Sequence, residues 1–194
     1  MIGIGWFVVA VLALHVIEPD FSVVDNFISD YALGDYGWLM QLAFFGAGIG
    51  TIAIALGLRK TLAPGKRVTA AVVSFAVAGI GFFVAIFKTD PREFTDLTTA
   101  GMLHALGSIV IFFALIVAAW MVRGVFKRDP TWEPFAKTQM WFAIAYTVTM
   151  IVTFATPEDG PVGLTQRIFV PVMMAWLFTL AWNIRRNSSA TEPH

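Results

Sequence analysis

His15 and Glu18 stand three residues apart at the end of an apolar run, so on a helix they share one face. A second histidine, His104, falls about two turns into another apolar run, downstream of Asp90-Pro91. Imidazole and carboxylate are ligand types suited to zinc or another divalent metal, which would make His15, His104 and Asp90 a metal-binding set. A hydroxide on such a metal attacks an ester or amide, and Glu18 or Asp30 would serve as general base. The catalytic candidates on that reading are His15, Glu18, Asp30 and His104. Against it, the chain has no HExxH or HxH, and the ligands would have to come from separate segments. One histidine per helix at matched depth also meets the minimum for a haem, but nothing else supports haem, which is disfavoured.

Anion recognition is the other chemistry on offer. Arg167, in GLTQRIFVPVMMAW, lies about one turn inside an apolar run with Gln166 beside it. An arginine is costly in lipid, so it pairs with a carboxylate or holds an anionic headgroup. A structural salt bridge to Asp30, Asp90 or Glu18 is the plain alternative. Ser22 or Ser29 has the right group for a nucleophile near His15, yet no GxSxG elbow or SxxK accompanies either.

These residues are set in a very apolar chain. Its 194 residues are 58% hydrophobic and only 13% charged, with a mean hydropathy of +0.75. A soluble domain averages nearer a quarter charged. Six hydrophobic runs read as membrane spans, about 2–18, 38–58, 68–87, 98–122, 135–156 and 164–184. The expected fold is therefore an all-α, six-helix transmembrane bundle forming one domain over 1–186, with a frayed polar tail at 187–194. Residues 1–17 lack a basic n-region and a cleavage site, so they read as a retained first span. With no cysteine, disulfides and thiolate chemistry are excluded.

Charge is distributed by side. Ten of the 13 Lys and Arg fall between spans two and three, between spans four and five or at the start of span five (Lys137), or after span six. Ten of the 13 acids fall in the alternate loops. The positive-inside rule then predicts an inner-membrane protein with both termini cytoplasmic. The net charge of zero offers nothing to a nucleic acid, and membrane lipids are the expected partners. No Asp, Glu, Lys or Arg lies at the centre of a span, which disfavours ion-driven transport. Trp38, Trp120, Trp132, Trp141 and Trp182 near span ends suit an aromatic belt. The hydroxyls of Thr147, Thr149, Thr153 and Thr156 suit bonds between helices.

Two glycine runs, FFGAGIG and AGIGFF, lie inside spans, where no strand can precede them as a nucleotide fingerprint needs. Gly46 and Gly50 form a GxxxG, so close helix packing within or between subunits is expected. The polar stretch Leu14–Gly37 carries five acids and no Lys or Arg. It must lie on the membrane surface or fold back to line a cavity. Phe21, Val24, Phe27, Ile28 and Tyr31 recur at helical spacing there, as in a short interfacial helix.

The series L-H-x-x-x-P-D, I-S-D-Y-A-L-G-x-Y-G-W-L-M, F-K-T-D-P with T-x-x-G-x-x-H, and G-L-x-Q-R-I-F resembles DUF998, a bacterial and archaeal family of multi-pass membrane proteins of unknown function. The resemblance covers essentially the whole chain and implies a compact helical membrane domain. At fold level it is also similar to the Frag1/DRAM-like six-span proteins, some linked to lipid remodelling or distribution. Carried over, the motif's polar positions are His15, Ser29, Tyr31, Asp90, His104, Gln166 and Arg167. Asp30 stands where the pattern implies Glu.

The expected site is a polar pocket at the outer face, built by the ends of spans one, three, four and six under the acidic loop. Ser29, Tyr31, Asp90, Gln166 and Arg167 are its candidate ligand-binding residues, for a lipid or amphiphile. A metal-dependent membrane hydrolase acting on a lipid ester or amide is the alternative. A third reading is an accessory subunit, homo-oligomeric or packed into a larger membrane complex.

Overall fold

A computed structural model describes residues 1–91, 97–157 and 159–189. Among the described residues there are six α-helices: α1 (Ile2–Ile17), α2 (Gly37–Thr61), α3 (Lys66–Val84), α4 (Thr99–Phe126), α5 (Glu133–Ala155) and α6 (Val162–Ser189). A short 3₁₀ turn, Ile28–Leu33, joins the first two. The chain is a polytopic helical membrane protein, and the helices lie within a few residues of the hydrophobic runs. α2 to α6 are long and apolar enough to cross a membrane.

Each helix packs on the next in sequence, and α6 closes the ring against both α1 and α2. α2 and α6 are the most enclosed of the long helices. Glycine sets the close approaches. A Cβ on Gly3 would strike the carbonyl of Gly46, and one on Gly107 would lie 2.8 Å from the carbonyl of Gly81. The glycine-rich runs therefore pack α1 on α2 and α3 on α4 within one chain.

Local chemistry sets the ends. Pro19 follows the α1 cap at Glu18 and cannot continue the helix. At 16 residues, about 24 Å, α1 is about 6 Å short of a hydrocarbon core. The chain that follows folds inward against the bundle: Ile28, Asp30, Tyr31 and Ala32 are all buried.

Four expectations need correction. The interfacial helix is not an amphipathic α-helix from Phe21 but the 3₁₀ turn at Ile28–Leu33, tucked against α2 and α6. Trp132 is no membrane-belt residue; it is 1% exposed and stacks on Phe126 at 4.5 Å, closing the α4–α5 turn. The threonines of α5 mostly bond back to their own helix, as Thr147 to Ala143 and Thr153 to Thr149. α6 continues to Ser189, through the start of the expected tail, because Arg185–Ser189 are compatible with helix and Pro193 comes only later. Residues 190–194, Glu93, Asp96 and Glu158 lie outside the described residues.

Candidate functional site

Arg167 is the hub at the end of the bundle that carries the acidic loop. Its Nε donates to His15 Nε2 at 2.8 Å, its Nη1 to the carbonyls of Asn26 (2.6 Å) and Gly163 (3.2 Å), and its Nη2 to Tyr31 Oη (3.2 Å). His15 Nδ1 meets the carbonyl of Val11 at 2.7 Å and so must donate. The two contacts together assign a neutral imidazole with its proton on Nδ1. Gly163 makes the arrangement possible, since a Cβ there would strike the carbonyl of Asn26. Every acceptor on the guanidinium is neutral among the described residues. The expected salt bridge to Asp30, Asp90 or Glu18 is replaced by these dipoles, because the carboxylates are turned to other work.

Glu18 and Asp30 hold the loop. Glu18, 8% exposed, accepts from the backbone N–H of Tyr36 at 2.6 Å and lies over Gly34, whose missing Cβ leaves it room. Asp30 Oδ2 accepts from the N–H of Phe27 at 2.8 Å and from Asn26 Nδ2 at 3.4 Å. Gln166 Oε1 takes the N–H of Ile28 at 2.6 Å, pinning the 3₁₀ turn to α6.

Asp90 and His104 join the ends of α3 and α4. Both oxygens of Asp90 accept from Thr98, one from its N–H at 2.8 Å and one from its hydroxyl at 2.6 Å. Thr98 in turn caps α4 by accepting from the N–H of Gly101 at 3.0 Å. The carboxylate thus sits at the positive end of a helix. His104 Nδ1 donates to the carbonyls of Ala85 and Phe87, at 2.8 and 2.9 Å, which the end of α3 leaves without helical donors. The T-x-x-G-x-x-H spacing is thereby explained as a cap, a clearance and a clasp.

The structure separates the predicted site residues into two cavities. A groove of about 650 Å³ between α1 and α6 has His15 and Arg167 among its lining. A larger cavity of about 810 Å³, between α4, α5 and α6, is lined by Ser29, Asp90, His104 and Gln166. Tyr31 is buried behind Arg167. His15 and His104 do not share a partner, and no group of three His, Asp or Glu residues suited to a metal exists among the described residues. With His15 on Arg167 and His104 on α3, the donor set does not fit the zinc expectation.

Several polar residues of these networks escaped the sequence reading. Toward Arg167, Asn26 and Gly163 offer only backbone carbonyls, which carry no side-chain signal. Ser108 Oγ lies 3.5 Å from His104 Nε2, one turn along α4. Gln139, buried in α5, accepts from Trp176 Nε1 at 2.9 Å, and an amide within a span was the clue available.

A bundle of apolar helices, five of them among the described residues long enough to cross a membrane, defines a polytopic membrane protein. More specifically, the chain belongs to the family described as "Protein of unknown function (DUF998)", whose model matches residues 1–183. Neither a curated protein nor a solved structure matches the chain.

Proposed function

We propose that this protein binds an anionic lipid or amphiphile in the α1–α6 groove, with Arg167 at the headgroup. The observation that carries the reading is a guanidinium at the polar end of a groove whose wall is otherwise largely apolar, including Ile4, Phe7, Val11, Val170, Met174 and Phe178. Four of the five guanidinium N–H groups have protein acceptors, all of them neutral. The positive charge and one donor are left for a ligand, and a monodentate headgroup oxygen meets both needs. From Ile4 to His15 the groove runs about 16 Å, close to one leaflet's half of an about 30 Å core. That length suits a lipid held from a single leaflet.

The charge pattern supports the acidic end facing outward, in the inner membrane, with both termini cytoplasmic. The ligand would then be drawn from the outer leaflet.

The test is lipid retention. Wild type and Arg167→Gln are extracted in native-lipid particles, and their lipids are compared with the bulk membrane. An anionic lipid enriched in the wild type and back to bulk level in Arg167→Gln is the expected result. A wild-type lipid profile equal to bulk would end the reading.

A further inference from the structure

The α1–α6 groove presents one cation above hydrocarbon, whereas the 810 Å³ cavity on the other side of α6 has a different chemistry. Its polar groups alternate in role. Asp90 and Asp159 bring carboxylates, which only accept. His104 is 5% exposed, and because its Nδ1 donates to α3 its Nε2 keeps a lone pair. The described partner of that nitrogen, Ser108 Oγ, stands at the 3.5 Å limit of a hydrogen bond. Donors are interleaved with these acceptors. Gln166 commits its oxygen to Ile28, which leaves its amide N–H₂, and the Ser29 hydroxyl has no protein partner among the described residues. No Lys or Arg lines the cavity among those residues. Phe27, Phe112 and Phe154 supply ring faces, and Ile109 adds an apolar wall.

Ligand classes can be sorted by what such a wall leaves unpaired. An anion would face two carboxylates and an imidazole lone pair. A protonated amine would satisfy those acceptors but leave the Gln166 and Ser29 donors without an acceptor, at the cost of a desolvated polar group. A hydroxyl donates and accepts through one atom, so several on one headgroup can satisfy an alternating wall. Aromatic faces suit the C–H surface of such a ring or chain, and the apolar wall suits hydrocarbon. We propose that this cavity is a second site, independent of the Arg167 groove, for the neutral, hydroxyl-rich headgroup of an amphiphile: a sugar or polyol on an acyl chain.

The experiment uses the full chain in phosphatidylcholine nanodiscs, offered either a glucosyl diacylglycerol or a phosphatidic acid, with retained lipid read by native mass spectrometry. Ala105→Trp fills the cavity from an exposed wall position, and Ser29→Ala removes one donor without changing shape. The glucosyl lipid is expected as an adduct of the wild type, lost in Ala105→Trp and weakened several-fold in Ser29→Ala. Glucosyl lipid held no better than phosphatidylcholine would overturn the proposal. So would an adduct that survives both Ala105→Trp and Ser29→Ala. Should Ala105→Trp fail to fold, the Ser29→Ala result decides alone. Phosphatidic acid reports on the groove separately, because its retention should depend on Arg167 and not on Ser29.

Discussion

Arg167 Nε donates to His15 Nε2 at 2.8 Å, across 152 residues of sequence and between the first and last helices. A cation is thereby held by an imidazole that has to stay neutral, with its proton on Nδ1 facing Val11. Nitrogen-15 NMR of labelled histidine should show His15 as the Nδ1–H tautomer, the minority form of free imidazole. Its Nε2 resonance should move in Arg167→Gln, where the charged donor is gone. A wild-type His15 in the Nε2–H form would contradict the contact. Loss of the guanidinium also strips a donor from Asn26 and Tyr31. Arg167→Ala should therefore lower stability by about 2–3 kcal/mol, the range of charge-assisted hydrogen bonds. Lysine at this position should recover only part of it, since three donors on one nitrogen cannot reach four acceptors spread around the guanidinium.

Asp90 and Gly101 form a second testable pair. The Asp90 carboxylate occupies the space that a Cβ on Gly101 would need. Gly101→Ala in the middle of a first helical turn would ordinarily be neutral or stabilising. Here it should destabilise, because the carboxylate must leave Thr98 to make room. Asp90→Ala alone should cost about 1 kcal/mol through the weakened start of α4. Adding Gly101→Ala to Asp90→Ala should then cost much less than adding it to the wild type. Thermal unfolding of the four proteins measures that coupling, and strictly additive costs would contradict it.

How far the sequence reaches can be seen by comparing His104 with Trp132. The helices were legible because each buries its backbone polar groups internally and shows lipid an unbroken apolar run. Sequence position suggested a common depth for His15 and His104, which is why they were matched. Depth does not say which helices are neighbours, however. His15 belongs with α6 and His104 with α3, and no spacing rule predicts either. The acceptors of His104 are the free carbonyls of Ala85 and Phe87, which every sequence has at every residue. Trp132 shows the same gap, since an aromatic near a span end reads alike whether it anchors in lipid or closes a turn. Arg167 was legible as costly, and it does lie against the acidic loop. Its neutral partners were not, because Glu18 and Asp30 were free in the sequence and are occupied by loop backbone in the fold.

The absence of native cysteine makes the orientation directly measurable. Ser22→Cys lies in the acidic loop and Thr131→Cys in the α4–α5 turn. With the acidic end outside, a membrane-impermeant maleimide should label intact cells carrying Ser22→Cys. Thr131→Cys should react only after permeabilisation. The reverse pattern would invert the topology and move both cavities to the cytoplasmic leaflet, whereas equal labelling at both sites in intact cells would contradict opposite placement of the two loops.

Gln139 ties three helices together: its amide donates to the carbonyl of Ala119 at 3.3 Å on α4, and its oxygen accepts from Trp176 Nε1 at 2.9 Å on α6. All of this is buried, with Trp176 0% and Gln139 4% exposed. Trp176 also packs beside Phe75 and Tyr146, at 5.6 and 5.8 Å between ring centroids. Trp176→Phe keeps much of that packing and removes only the donor among polar groups, stranding the Gln139 oxygen. Gln139→Leu strands the indole N–H instead. Hydrogen bonds between helices in membranes contribute about 0.6 kcal/mol on average, rising to about 1.7. Each single variant should lose about 1–2 kcal/mol, because the orphaned group adds its desolvation cost. The double variant removes both polar groups, so it should be more stable than the sum of the singles implies. Reversible unfolding in mixed micelles gives the four values. Coupling indistinguishable from zero would mean that packing around the indole, not its N–H, is what holds α5 to α6.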